Sequence, residues 1–251
     1  QKLGKALNFI PKDEGELNFG SQIYLVKKVV KDDKKIISAT DITQEKRTER
    51  LASMGQVAAH LAHEIRNPIG SISLLNSTLL KRAEPKILPI VEQIQKGIWR
   101  VERIIKATLL FTKGLSITPR EFNFLDIKSE CEEALKFYEY SKDITFELNF
   151  PDALYSGDFD LIAMVFQNIL FNAIDAIEED ENDEGVVRLS YEKTPNEHKF
   201  IVYDSGVSIK NENIVFEPFK TSKLKGNGLG LHLCLQIIEA HKGSIEITLE
   251  P

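Results

Sequence analysis

Met54-Gly55-Gln56-Val57-Ala58-Ala59-His60-Leu61-Ala62-His63-Glu64-Ile65-Arg66-Asn67-Pro68-Ile69-Gly70-Ser71-Ile72 is the stretch on which the fold turns. Read as a four-three repeat, Met54, Ala58, Leu61, Ile65, Pro68 and Ile72, continued by Leu75 and Leu79, take the inward positions of a heptad. That register puts His63 at the outermost position, facing water. An imidazole there, with Glu64 next in sequence and Asn67 one turn on, is placed for proton transfer or for nucleophilic attack on a molecule docking from outside. A His-Glu pair alone is as consistent with an ordinary solvated helix face, so the rest of the chain has to decide.

Outward from this stretch, the periodicity predicts one long helix over 48–83 and a second over 87–113, with Pro85 in the turn between them. The second repeats the spacing in Ile87, Val91, Ile94, Ile98, Val101 and Ile105. Two helices joined by a short turn form an antiparallel hairpin with too little core of its own, and pairing with a second copy closes a four-helix bundle. Pro68 removes a backbone donor five residues after His63, which predicts a kink beyond the reactive turn.

On the N-terminal side, residues 1–45 read as β-rich. The runs 22–30 and 35–39 flank the polar turn Lys31-Asp32-Asp33-Lys34, a hairpin signal. Asp41-Ile42-Thr43 then leads into a charged segment, and this exit resembles that of a PAS sensor domain into a signalling helix. From Pro119 onward the texture is mixed, with strands expected over 143–150, 186–191, 199–203 and 244–249. Helices are expected over 125–138, 159–178 and 229–240.

Composition bounds the functions available. The 251 residues, 42% of them hydrophobic, can bury substantial cores. A net charge of -6 and a pI near 5.5 argue against a general binder of nucleic acid or anionic membrane. Cys131 and Cys234 are far apart within helical patterns, which supports neither a disulfide framework nor a four-cysteine zinc site and fits a reducing, cytoplasmic setting. With no run of about 18 apolar residues and no charged-then-apolar leader, the sequence predicts a stretch that neither spans a membrane nor carries a secretion signal. It begins at Gln1 and stops at Pro251 after a strand-like run, and so reads as a fragment.

Four further motifs carry chemistry. Asn168-Ile-Leu-Phe-Asn172-Ala-Ile-Asp175 sets two asparagines and an acid on one helix face, where amides in apolar surroundings need partners that metal-bound phosphate would supply. Val202-Tyr203-Asp204-Ser205-Gly206 ends a strand in an acid able to accept from an exocyclic amine, then a glycine for a tight turn. Phe216-Glu217-Pro218-Phe219 is followed by Lys220, Thr221, Ser222 and Lys223, basic and hydroxyl groups suited to polyphosphate. Gly226-Asn227-Gly228-Leu229-Gly230-Leu231 opens a helix whose free N–H groups would cradle phosphate.

The ordered set of His-Glu-x-x-Asn-Pro, asparagine box, Asp-x-Gly, Phe-Glu-Pro-Phe and Gly-x-Gly-Leu-Gly-Leu resembles the two-component sensor histidine kinases over about four-fifths of the chain. The short stretch from Phe219 to Gly226 is similar to the compact ATP lid of their nitrogen-regulation subgroup, soluble kinases whose partners are often response regulators that activate transcription. The resemblance implies a multidomain α and α+β fold: part of a PAS-like domain over 1–45, a dimerisation and histidine-phosphotransfer hairpin over 46–116, and an α/β sandwich of the histidine kinase, Hsp90 and gyrase type over 117–251. It implies a homodimer using ATP and Mg²⁺, with a response regulator as partner and no nucleic acid or membrane.

Residue by residue, the resemblance implies that His63 accepts the γ-phosphoryl, Glu64 serves as general base and Asn67 positions a water for removing phosphate from the partner. Asn172 would hold Mg²⁺, Asn168 and Asp175 support the phosphate side, and Asp204 read adenine. Gly206, Gly226, Gly228 and Gly230, with Leu229 and Leu231, would let backbone approach the nucleotide, while Lys220, Thr221, Ser222 and Lys223 act from the lid. Two departures stand out: Ser208 replaces a usual second glycine and is expected to restrict that turn, and the strand pair that normally follows residue 249 is missing. Competing readings are an ATP-driven clamp without phosphohistidine, a phosphatase or scaffold that has lost kinase activity, and zinc hydrolysis. The last fails on spacing, since Asn67 stands where a second histidine ligand belongs.

Overall fold

The computed structural model describes residues 14–19, 22–31, 34–195, 197–209, 215–219 and 228–248, and the side chains of 30, 31, 35, 44 and 47–59 lie outside that description. The chain forms two compact units, residues 1–58 and 59–251.

In the first unit β1 (Glu14–Phe19), β2 (Gln22–Lys31) and β3 (Lys34–Asp41) form an antiparallel meander in which Val26 is fully buried. The expected hairpin is β2–β3, with Lys31 opposite Lys34. Helix α1 (Thr43–Leu80) starts five residues before the expected Thr48, where the Asp41 carboxylate takes up the first free N–H of the helix. Asp41 accepts from the Thr43 N–H at 3.0 Å and from its hydroxyl, and these bonds hold the Asp41 carboxyl below its ordinary pKa.

In the second unit the rest of α1 packs against α2 (Leu88–Lys113), which carries proline in its first turn where no helical N–H is lost. Helix α1 continues through Pro68 without interruption. Among its described side chains α1 buries Ala62, packed with Ile105 and Leu109, and Asn76, bonded to the Val91 carbonyl. Small Ala62 admits close approach and the Asn76 amide donates to Gln95 Oε1 at 2.8 Å, so this face of α1 meets α2. The seam residues Leu61, Ile65, Ile72, Leu75 and Leu79 are 44–65% exposed, as expected of a hairpin whose seam stays open in a single chain, and Ile87, Ile90 and Ile94, at and after the start of α2, are exposed with them.

The remainder is β4 (Arg120–Asn123), α3 (Phe124–Phe137), β5 (Asp143–Leu148), β6 (Leu154–Gly157), α4 (Phe159–Glu179), β7 (Glu184–Lys193), β8 (His198–Asp204) and α5 (Gly230–Ala240). Strand β7 pairs parallel with β5 and antiparallel with β8, and β4 pairs antiparallel with β6. The two strands β4 and β6 are four residues each, too short to show an alternation in sequence. Asn123 and Asp126 close a capping box at the start of α3, and Asp158 caps α4 while also accepting from the Thr118 N–H at 2.9 Å.

One core unites these elements, with Ile127, Leu170, Ile174, Val187, Leu189 and Ile237 fully buried. Helix α4 is long and apolar enough to cross a bilayer, but 61% of its most apolar window is buried inside the protein, as suits a core helix. Where a strand was expected over 244–249, residues 244–248 form no ladder. Ile245 still packs on the core, so the alternation marked which side chains turn inward, and burial alone does not supply a hydrogen-bonding neighbour.

Candidate functional site

The first cluster lies on the exposed face of the hairpin. His63, Glu64 and Asn67 are all exposed. Glu64 does not touch His63; its carboxylate pairs with His60 Nε2, one turn back, at 3.2 Å. His63 is met from the other helix, where Lys113 Nζ lies 2.7 Å from its Nε2. The i,i+4 spacing of His60 and Glu64 was readable from the helix. Lys113 carries no such signal, being fifty residues away.

The second cluster is built on α4. Its inward positions Leu170, Phe171, Ala173 and Ile174 are buried, while Asn168, Asn172 and Asp175 are half-buried along one face. Asn168 faces the start of α5, where a Cβ on Gly230 would lie 3.8 Å from its amide. Beneath it Cys234 is fully buried, and desolvation pushes its thiol up to about 12. Asp175 accepts from the Tyr138 hydroxyl at 2.6 Å. Beside that bond the Arg103 guanidinium of α2 lies over the rings of Phe171, Tyr138 and Trp99 at 4.5, 5.3 and 5.4 Å. Burial there lowers the pKa of Arg103 and raises that of Tyr138.

The Asp204 turn is fastened at three points. Gly206 N–H donates to Asp204 Oδ1 at 3.0 Å, Val207 N–H to the Ala176 carbonyl at 3.1 Å and Ser205 N–H to the Val186 carbonyl at 3.1 Å. A Cβ on Gly206 would come within 2.3 Å of the Ala176 backbone, so only glycine fits this approach to α4. Ser208 is exposed and takes no positive φ, so the expected restriction does not arise from left-handed backbone.

The lid residues Lys220, Thr221, Ser222, Lys223 and Gly226 lie outside the described residues. Its neck is described: Phe219 N–H donates to the Gly228 carbonyl at 2.9 Å, with positive φ at both residues, and His232 Nδ1 bonds the Phe216 carbonyl at 2.8 Å. Leu229 is buried with Leu233 and Ala107, Leu231 is half-buried, and Phe111 of α2 stacks edge-on to Phe219 at 5.3 Å. The hairpin thus touches both the asparagine helix and the lid neck.

Residues 53–116 match the His Kinase A (phospho-acceptor) domain, and residues 157–251 match the histidine kinase-, DNA gyrase B- and HSP90-like ATPase. The chain is 52% identical to the sensor histidine kinase FlgS of Helicobacter pylori, over 92% of this chain and 61% of that protein. It is 30% identical to sporulation kinase C of Bacillus subtilis, over 81% of this chain and 47% of that protein. Among solved structures, the catalytic domain of histidine kinase ThkA is 29% identical, with a TM-score of 0.40 over 50% of this chain and 82% of that one. The chain thus spans about three-fifths or less of the length of these two relatives.

Proposed function

We propose, for a chain that belongs to the sensor histidine kinases by its phospho-acceptor and ATPase domains, that it transfers the γ-phosphoryl of ATP to His63 and passes it to an aspartate of a response regulator. The observation that carries this reading is an exposed His63 in one compact unit with the glycine-locked Asp204 turn and the α5 N-terminus. Phosphoryl transfer asks little covalent help of a protein beyond an aligned nucleophile and neutralised phosphates. His63 supplies the nucleophile. Glu64, once released from His60, takes the ring proton, a role worth roughly 10²–10⁴-fold in rate. Asn67, one turn on, holds a water against phospho-aspartate and serves dephosphorylation of the partner.

Asp204 accepts from the adenine amine, with Gly206 keeping the turn close to α4, and the N–H groups at the start of α5 face the phosphates. Lys220, Thr221, Ser222, Lys223 and Gly226 act from the lid. Among the described residues no cluster of three or more histidine, cysteine and carboxylate side chains is placed to hold a metal ion. The Asn172 amide oxygen, beside Asn168 and Asp175 on α4, would hold the Mg²⁺ ion, whose bound form would neutralise phosphate charge. The exposed stripe Leu61, Ile65, Ile72, Leu75 and Leu79 is the dimer face. Residues 1–45 are the end of a PAS-like domain, 46–116 the hairpin and 117–251 the ATP-binding domain of a cytoplasmic kinase of the nitrogen-regulation subgroup.

Incubation with γ-labelled ATP and Mg²⁺ tests the reading. His63→Gln should abolish acid-labile label while nucleotide binding persists, and Asn172→Asp should lose both. Full label in the His63 variant sinks the assignment. Glu64→Ala should lose mainly autophosphorylation and Asn67→Ala mainly partner dephosphorylation; equal losses of both activities in both variants would deny them separate roles.

A further inference from the structure

Lys113 ends α2, and its ammonium lies 2.7 Å from Nε2 of His63 on the facing helix. A lysine ammonium has three donors and no acceptor, so the bond runs one way: Nζ–H donates and the Nε2 lone pair accepts. A neutral ring in this contact carries its hydrogen on Nδ1. Imidazole left to water prefers its hydrogen on Nε2, so the contact selects the less common form, in which the lone pair sits on the nitrogen farther from the backbone. The helix end favours a cation here, since the terminal carbonyls of α2 carry partial negative charge. Gly114, at φ 79°, then turns the chain out of the helix. Both side chains are exposed, so Lys113 can swing off the ring by rotamer changes on a ps–ns timescale when phosphorus approaches.

We propose that Lys113 is a catalytic residue: it holds His63 in the Nδ1–H form before attack and becomes the charge partner of the phosphoryl group afterwards. This rests on His63 being the phosphoryl acceptor. In the step, the Nε2 lone pair forms the N–P bond while the bond from the γ-phosphorus to the bridging oxygen breaks, its electron pair leaving on ADP. The Nδ1 hydrogen departs as a proton to Glu64, leaving a neutral ring that bears an anionic phosphoryl group. The ammonium displaced from Nε2 then donates to the phosphoryl oxygens, a charge-assisted pairing that arginine can also make.

Two measurements on Lys113→Met and Lys113→Arg test this. Long-range ¹⁵N NMR on nucleotide-free, histidine-labelled protein should show His63 as Nδ1–H in the parent and largely Nε2–H in the Met variant. After removal of nucleotide at neutral pH, the phosphohistidine half-life should fall about two- to fivefold in the Met variant, the range an exposed charge pair commands, and stay near the parent's in the Arg variant. A Met variant with an unchanged tautomer, or an unchanged half-life, overturns the proposal. The His63→Gln control separates the two readings: persistent label there removes the acceptor itself, whereas loss of label there with an unaltered Met variant removes only the role of Lys113.

Discussion

Helices α1 and α4 are the long helices of the phospho-acceptor hairpin and the ATP-binding domain, and they bury themselves very differently. Of the 21 residues of α4, the buried ones run from Leu161 to Ile177 and leave mainly the asparagine face half-open. The 38-residue α1 buries only Ala62 and Asn76 among its described side chains, and its strongest apolar stripe stays in water. The ATP-binding domain closes a core within one chain. The hairpin leaves an apolar face open, because two helices enclose too little volume, and in the proposed reading a second copy covers that face.

Substitutions can break this contrast. Leu170→Ala, at a fully buried position of α4, should cost about 2–5 kcal/mol of unfolding free energy in urea. A cost near zero would mean that this core is looser than its packing. Next comes Gly206→Ala. Its Cβ would press on the Ala176 backbone, costing about 1–3 kcal/mol, and should weaken binding of a fluorescent nucleotide; unchanged affinity would detach the turn from the nucleotide site.

Tyr138→Phe removes the hydroxyl that donates to Asp175 and should cost about 1 kcal/mol. The tyrosine's pKa is raised in the fold above its ordinary 10, by burial first and the Asp175 bond second. Its stabilising effect is therefore complete below about pH 10 and is lost as the pH climbs above it. The Phe variant should show a shallower alkaline loss of stability, measured by circular dichroism across pH 9–12, and an identical alkaline profile would refute this linkage.

The smallest effect on the subunit itself is expected at the exposed stripe. Leu75→Ala, 65% exposed, should change subunit stability by no more than about 0.5 kcal/mol. It should nevertheless shift sedimentation equilibrium toward monomer, and an unaltered association constant would take the stripe out of the dimer face.

Much of this was legible in the chain. Heptad spacing located both helices of the hairpin to within a few residues and turned His63 outward. The order of the asparagine, Asp-x-Gly and glycine-rich boxes marks the nucleotide domain. Such features are local: they depend on spacing along a single element, and a repeat of 3.5 or 3.6 residues fixes which side chains share a face. What spacing leaves open is which face meets which neighbour. Only the tertiary structure set the Ala62 and Asn76 face of α1 against α2. It also paired Asp175 with Tyr138 and brought Lys113 to His63 across fifty residues. Those contacts depend on the rotation and depth at which separate helices pack, and these follow from how every side chain at the interface fits at once.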